Sequence, residues 1–286
     1  MVTLQKNIRN ESRFLICTAL IAIIVGITWL CIYKLVHPFK NGYSCDDTSI
    51  MRDIRTETIS EGLLVGITVL YVLISLIANE VIWWILDRKK ELSGGRILFN
   101  RKIITRTYLF IEVIVVFTMG YLIEGIFVEV LKISVGALRP NYIQQCIPIF
   151  ANESISNSCA IHASIYIGSN EYTCKNSKTI ADYRKSFPSN HTGSMAYAVA
   201  FITIFLMYSQ RKRNAFLSNI CGIIGVILTF YIATSRLRDN MHHPRDLVGG
   251  IVIGVTVGMW FSLDFLKRYK KYVSVDFNEN NFEINF

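Results

Sequence analysis

The segment FPSNHTGSMAYAVAFITIF, residues 187–205, decides how this chain is read. It opens with Pro188, Ser189, Asn190, His191 and Thr192 and runs without a break into apolar sequence. Asn190-His191-Thr192 is formally an N-glycosylation sequon. The same residues place a hydroxyl and an imidazole where an apolar helix begins. Ser189, just after Pro188, is a natural N-cap. The amides of Asn190, His191 and Thr192 would then be unpaired and point outward, a terminus that binds anions and phosphate in particular. The bland alternative is an ordinary cap followed by an interfacial histidine.

The apolar run that follows is one of six. Crossing a bilayer takes about 20 apolar residues, and residues 14–36, 63–86, 108–131, 193–208, 215–235 and 247–265 qualify, the fourth being short. Of the 286 residues, 52% are hydrophobic and only 18% charged, too apolar a balance for an ordinary soluble domain. The first run is too long for a signal-peptide core and no small-residue cleavage site follows, so it reads as a retained helix. The expected fold is all-α: a polytopic membrane protein with six transmembrane helices in a single domain, 1–286. The Asn-rich residues 272–286 read as a disordered tail.

The net charge of +9 invites a nucleic-acid partner, but its placement argues against one. Arg88, Lys89, Lys90, Arg96, Arg101, Lys102 and Arg106 fall between runs two and three, Arg211, Lys212 and Arg213 between four and five. Lys267, Arg268, Lys270 and Lys271 follow the last run, and Lys6, Arg9 and Arg13 precede the first. Positive charge flanking spans marks the cytoplasmic face. Both termini are therefore expected in the cytoplasm, with loops one, three and five facing the cell exterior or an organelle lumen. Cys45, Cys146, Cys159 and Cys174 fall on that outer, oxidising side, where two disulfides with three alternative pairings are open. Cys17, Cys31 and Cys221 lie in spans and read as packing residues. Asn152 heads a second sequon in the third loop and is the better glycan acceptor.

Polar groups at the outer span ends form three clusters. In KISVGALRP, Lys132 and Arg139 are two helical turns apart and share a face if the helix continues to Pro140, which is expected to end it. The competing reading is that Lys132 snorkels or pairs with Glu129. The second cluster is the opening segment. The third is SRLRDNMHHPRD, residues 235–246, where Pro244 suits the first turn of the last helix and Asp246 falls within it. Asp246 is four residues from His242, so its carboxylate is expected to accept from an imidazole N–H and leave the other nitrogen free. Alone, Asp246 is a plain first-turn acid and His242 and His243 are loop residues. The predicted crossings bring all three clusters to one face, and cations, a helix N-terminus and two histidines together suit a phosphate or similar oxyanion.

With these motifs in view, the chain resembles the type 2 phosphatidic acid phosphatase superfamily, and within it the integral-membrane lipid phosphate phosphatases. The superfamily patterns KxxxxxxRP, PSGH and SRxxxxxHxxxD read here as Lys132 to Pro140, Pro188 to His191, and Ser235 to Asp246, with Asn190 in place of the glycine. The resemblance covers roughly residues 14–270. It implies an active site at the outer ends of helices three to six. His242 is the implied nucleophile, forming a phosphohistidine, Asp246 its support, and His191 the acid that protonates the leaving alkoxide. Lys132, Arg139, Ser189, Asn190 and Arg236 are the implied phosphate-binding residues. No metal and no cofactor are implied, because three cations and a helix terminus neutralise the transferring group. The implied substrates are lipid phosphate monoesters such as phosphatidate, lysophosphatidate, sphingosine 1-phosphate and ceramide 1-phosphate, met in the bilayer of the plasma membrane or an internal membrane. No nucleic acid is expected, and a homo-oligomer is left open. Competing readings are a lipid phosphotransferase of the sphingomyelin-synthase type, an impaired relative acting as a scaffold, and a transporter using Glu80, Glu112, Glu124, Glu129 and Asp264.

Overall fold

The computed structural model describes residues 2–86, 95–98, 101–151, 165–176, 179–209 and 215–282. Its helices are α1 (Val2–Leu35), α2 (Glu61–Leu86), α3 (Thr105–Val135), the short α4 (Tyr142–Cys146), α5 (Asn190–Ser209), α6 (Phe216–Arg238) and α7 (Pro244–Phe282). Among the described residues, all but α4 contain a stretch long and apolar enough to span a bilayer, six in total: Arg13–Leu35, Glu61–Ile82, Thr107–Val135, Asn190–Ser209, Phe216–Arg238 and Pro244–Arg268. The expected all-α, six-span architecture is therefore present. Asn152 and Cys159, and the basic residues 88–90 and 211–213, lie outside the described residues.

α5 is the axis of the bundle. Met195, Tyr197, Ala198, Phe201, Ile202 and Leu206 are fully buried on it, whereas α1 exposes Ile23, Ile24 and Ile27. Helices in lipid gain little from burying apolar side chains, so close backbone packing decides which pairs touch. Gly250, Gly254 and Gly258 recur every fourth residue along α7 and form one ridge. A Cβ at these positions would collide with the carbonyls of Ser189, Gly193 and Tyr197 in turn. This contact brings the first turns of α5 and α7 together, and Ser189 N–H donates to the Asp246 carbonyl at 2.9 Å.

Two helix ends depart from expectation, and a third shows how the chain turns back. α3 stops at Val135, not at Pro140. Gly136 takes a left-handed conformation (φ 60°) and its N–H closes on the Lys132 carbonyl at 3.0 Å, a C-terminal glycine cap. Arg139 thus belongs to a loop, not to the face of α3 that carries Lys132. At α6, Asn240 is left-handed (φ 53°), and the N–H groups of Asn240 and Met241 bond to the carbonyls of Leu237 and Arg236. This Schellman closure turns the chain back toward the bundle. At the other extreme, α7 runs on to Phe282, where a disordered tail was expected from 272. Neither Gly nor Pro occurs after Gly258, so nothing in the sequence stops a helix already nucleated in the bundle.

Three two-stranded antiparallel ribbons complete the described fold. β1 (Tyr43–Ser44) pairs with β5 (Tyr166–Ile167), β2 (Gly95–Leu98) with β3 (Arg101–Ile104), and β4 (Pro148–Phe150) with β6 (Tyr172–Cys174). Such ribbons are marginal alone. A Cys146–Cys174 disulfide braces β4 and β6, and Cys45 is also disulfide-bonded. Cys221 is buried, but Cys17 and Cys31 lie exposed on α1 and are not interior packing residues. Loops one, three and five meet at one end of the bundle, where Arg52 N–H donates to the Pro140 carbonyl and Ser186 N–H to that of Ala137.

Candidate active site

His242 lies in the turn between α6 and α7 and is 3% exposed. Its Nδ1 is 2.7 Å from the Ser186 carbonyl oxygen. A carbonyl only accepts, so Nδ1 carries the hydrogen and Nε2 keeps its lone pair. This corrects the expected partner. Asp246 Oδ2 is 3.7 Å from His242 Nδ1, an electrostatic contact and not a hydrogen bond. The carboxylate is occupied elsewhere: Oδ2 accepts from Ser186 Oγ at 2.6 Å and from the His243 N–H at 2.8 Å. With Pro244 as the first helical residue, the bond to His243 is the acidic half of a capping box. Asp246 therefore fixes the start of α7 and, through Ser186, the carbonyl that orients His242.

Burial drives the His242 pKa down to about 3. The charges of Arg139, Arg236 and Lys132 push the same way, and Asp246 opposes them. The imidazole is neutral at neutral pH, the form that can attack phosphorus. The adjacent His243 differs: its ring nitrogens are buried without a hydrogen bond, and Nδ1 is 3.4 Å from Asp246 Oδ2.

His191, in the first turn of α5, directs Nε2 at the Ile59 carbonyl, 3.1 Å away. Arg236 Nη1 donates to the same oxygen at 3.1 Å, and Arg236 Nη2 reaches Glu57 at 3.4 Å. Arg139 directs Nη1 at Met241 Sδ, 3.2 Å away, with its guanidinium 5.6 Å from the Tyr183 ring centre. Lys132 is buried in the last turn of α3. Glu129 Oε1 is paired with Lys185 at 2.6 Å and not hydrogen-bonded to Lys132, which removes the pairing half of the alternative reading of that lysine.

Several buried donors here have no partner among the described residues: Arg139 Nε, Arg236 Nε and Ser189 Oγ. Ser189 holds the N-cap position but its hydroxyl does not cap, which leaves both hydroxyl and helix amides available. Unsatisfied buried donors are costly and rare. Acceptor oxygens are the chemistry such donors need, and an oxyanion carries several of them. Asn190 is half-buried and helical, with no positive φ, so the conformational freedom of a glycine is not needed there.

Every candidate motif residue lies at this end of the bundle except Asn152 and Cys159, which fall outside the described residues. The sequence reading missed Ile59, Glu57, Ser186, Asp239, Met241 and Asn141. Asn141 is fully buried with an unpartnered carboxamide oxygen. Asp239 and Met241 lie inside the third cluster, and Asn141 and Ser186 lie within two residues of the other two, a signal available in the sequence. Nothing about residues 57–59 marks them.

The PAP2 superfamily pattern matches residues 112–270, which contain all three clusters. Human phospholipid phosphatase 2 is 24% identical over 89% of this chain and 84% of its own length. Rat phospholipid phosphatase 1 is 24% identical over 89% of the chain and 86% of its length. A Drosophila melanogaster protein, provisionally named a phosphatidate phosphatase, is 28% identical over 82% of the chain, which spans only 64% of that relative. No solved structure matches significantly. The match takes in more than half of the chain and every residue of the three clusters, and the chain belongs to the PAP2 superfamily.

Proposed function

We propose that this protein hydrolyses lipid phosphate monoesters through a phosphohistidine. The observation that carries the reading is His242: a buried, neutral imidazole with Nδ1–H tied to Ser186 and Nε2 free among the described residues. The Nε2 lone pair attacks phosphorus and the bond from phosphorus to the lipid oxygen breaks. His191 gives its proton to the departing alkoxide. Water then attacks the phosphohistidine, His191 takes the proton, and inorganic phosphate leaves with the enzyme restored. Arg139, Arg236, Lys132, Ser189 and the amides opening α5 hold the non-bridging oxygens. Their charge performs the neutralisation that a metal supplies elsewhere, so the reading includes no metal.

The site end is assigned to the outer or luminal side, with both termini in the cytoplasm. The Cys146–Cys174 disulfide at that end favours an oxidising compartment. Arg13 and Arg268 flank the spans at the opposite end, as the positive-inside tendency requires. An amphiphilic phosphate suits a site at helix ends, since its chains stay in lipid while the head group meets the cations. Asn152 is the proposed glycan acceptor.

The test is phosphate release from phosphatidate in detergent with EDTA present, comparing wild type with His242→Ala. Release by wild type and none by the variant supports the reading. Activity abolished by EDTA contradicts the metal-free mechanism, and equal activity in the variant removes His242 from its role.

A further inference from the structure

We propose that the first interhelical loop belongs to the reaction centre, and that Asp239 is the positioning residue that holds the Ile59 carbonyl on His191 and Arg236. The inference rests on the phosphatase reading above and adds to it a group outside the three motifs' assigned roles.

The segment from Met51 to Ser60 has no regular secondary structure, and residues 51–57 are exposed. Such a strand of chain would not hold one carbonyl against two buried side chains by itself. Its far end is clamped. Thr58 N–H donates to Asp239 Oδ2 at 2.7 Å and Thr58 Oγ1 to Asp239 Oδ1 at 2.8 Å. Asp239 is 3% exposed, so both bonds are shielded from water. Arg238 Nη2 donates to Thr58 Oγ1 at 2.6 Å, Arg55 Nη1 to the Arg238 carbonyl at 2.8 Å, and Asn240 Nδ2 to the Asp53 carbonyl at 2.9 Å. On the other side the Ile59 side chain is buried in the bundle core. The peptide between these two anchors presents the Ile59 oxygen to His191 Nε2 and Arg236 Nη1, each at 3.1 Å.

This arrangement has a consequence for proton transfer. The carbonyl can only accept, so Nε2 of His191 keeps its hydrogen in both charge states. Nδ1 is then the nitrogen that exchanges a proton with the leaving oxygen. The same carbonyl stabilises the imidazolium, in the way an oriented acceptor supports a catalytic histidine. If the clamp is released, His191 loses its fixed tautomer, whereas His242 stays held by Ser186 and Arg236, 1% exposed, stays enclosed by the bundle.

The test compares Asp239→Ala and Thr58→Val with wild type on two substrates, phosphatidate and a nitrophenyl phosphate carrying an alkyl chain. The readout is kcat/KM, which covers the steps up to loss of the leaving group. An alkoxide needs a proton to leave and a nitrophenolate does not. The expected result is a fall of roughly 10–100-fold on phosphatidate and less than about threefold on the aryl substrate, a partial loss of the roughly 10²–10⁴-fold that a positioned general acid contributes. Equal losses on both substrates would make Asp239 a structural residue only and overturn the inference, as would no loss on either. Should Asp239→Ala fail to fold, Thr58→Val, which removes one hydroxyl, must show the same selective loss. Wild type inactive on both substrates would sink the phosphatase reading instead, a different outcome from equal losses in the variants.

Discussion

Lys185 Nζ and Glu129 Oε1 form an ion pair of 2.6 Å in which the two side chains are only 5% and 4% exposed. Lys185 comes from the third loop and Glu129 from α3, one turn before Lys132. The pair decides which lysine Glu129 engages: Lys185 takes the carboxylate, and Lys132 makes no ion pair among the described residues. Breaking a buried pair on one side strands a charge. Glu129→Gln is expected to lower stability by about 3–5 kcal/mol. A double change of Glu129→Leu with Lys185→Met should recover most of the loss. Thermal unfolding in detergent checks both, and equal midpoints for the single and double variants would contradict the argument.

Asp246 holds Ser186 and His243 through one carboxylate oxygen. Asp246→Asn retains an acceptor oxygen but removes the charge that supports the imidazole of His242. Activity on phosphatidate is expected to fall at least about 100-fold, by analogy with triad aspartates, with little change in thermal stability. A variant within about threefold of wild type would show the carboxylate to be a helix cap alone.

The His242 pKa of about 3 lies below its ordinary value of 6.5. Above pH 6.5 the ring is neutral whether the chain is folded or not, and its contribution to stability is fully present. As pH falls from 6.5 toward 3, the unfolded chain takes up a proton that the folded site refuses, and stability is lost. His242→Gln should flatten the pH dependence of thermal stability in that window. In the wild-type enzyme, an acid limb of kcat/KM near pH 5 would belong to another group or to the substrate phosphate.

Gly254 lies against the Gly193 carbonyl, one turn below the site. Gly254→Ala forces α5 and α7 apart and moves His191 away from the start of α7. The expected cost is about 1–3 kcal/mol, with a fall in kcat. The same change at Gly62, where an added Cβ meets nothing, should leave kcat unchanged and raise stability by at most about 1 kcal/mol.

Asn190→Gly restores the family residue. Because Asn190 is an ordinary helical residue, the change is expected to fold normally and to alter the rate or the preference between phosphatidate and lysophosphatidate. Identical rates and preferences would show that the Asn190 side chain takes no part.

Some of these relationships were legible in the sequence. Six apolar runs mark six spans because a bilayer sets a length and a polarity that composition alone can meet. The Lys132, Arg139, Ser189, His191, Arg236, His242 and Asp246 cluster was legible because cations, imidazoles and a proline-led helix start have few reasons to gather at span ends. Helix ends are less legible where stop signals compete: Gly136 ends α3 four residues before Pro140, since a left-handed glycine can also lie against the Phe39 carbonyl. The orientation of each imidazole depended on backbone carbonyls. Ser186 serves His242 across 56 residues and Ile59 serves His191 across 132. A carbonyl is present at every position, so no residue type announces which one will be used. By itself the sequence determined the membrane architecture and the chemical inventory of the site. Only the tertiary structure decided which nitrogen of each histidine is free, which lysine is free, and which loop closes around them, because those depend on how the glycine ridge of α7 packs on α5 and where the loops then come to rest.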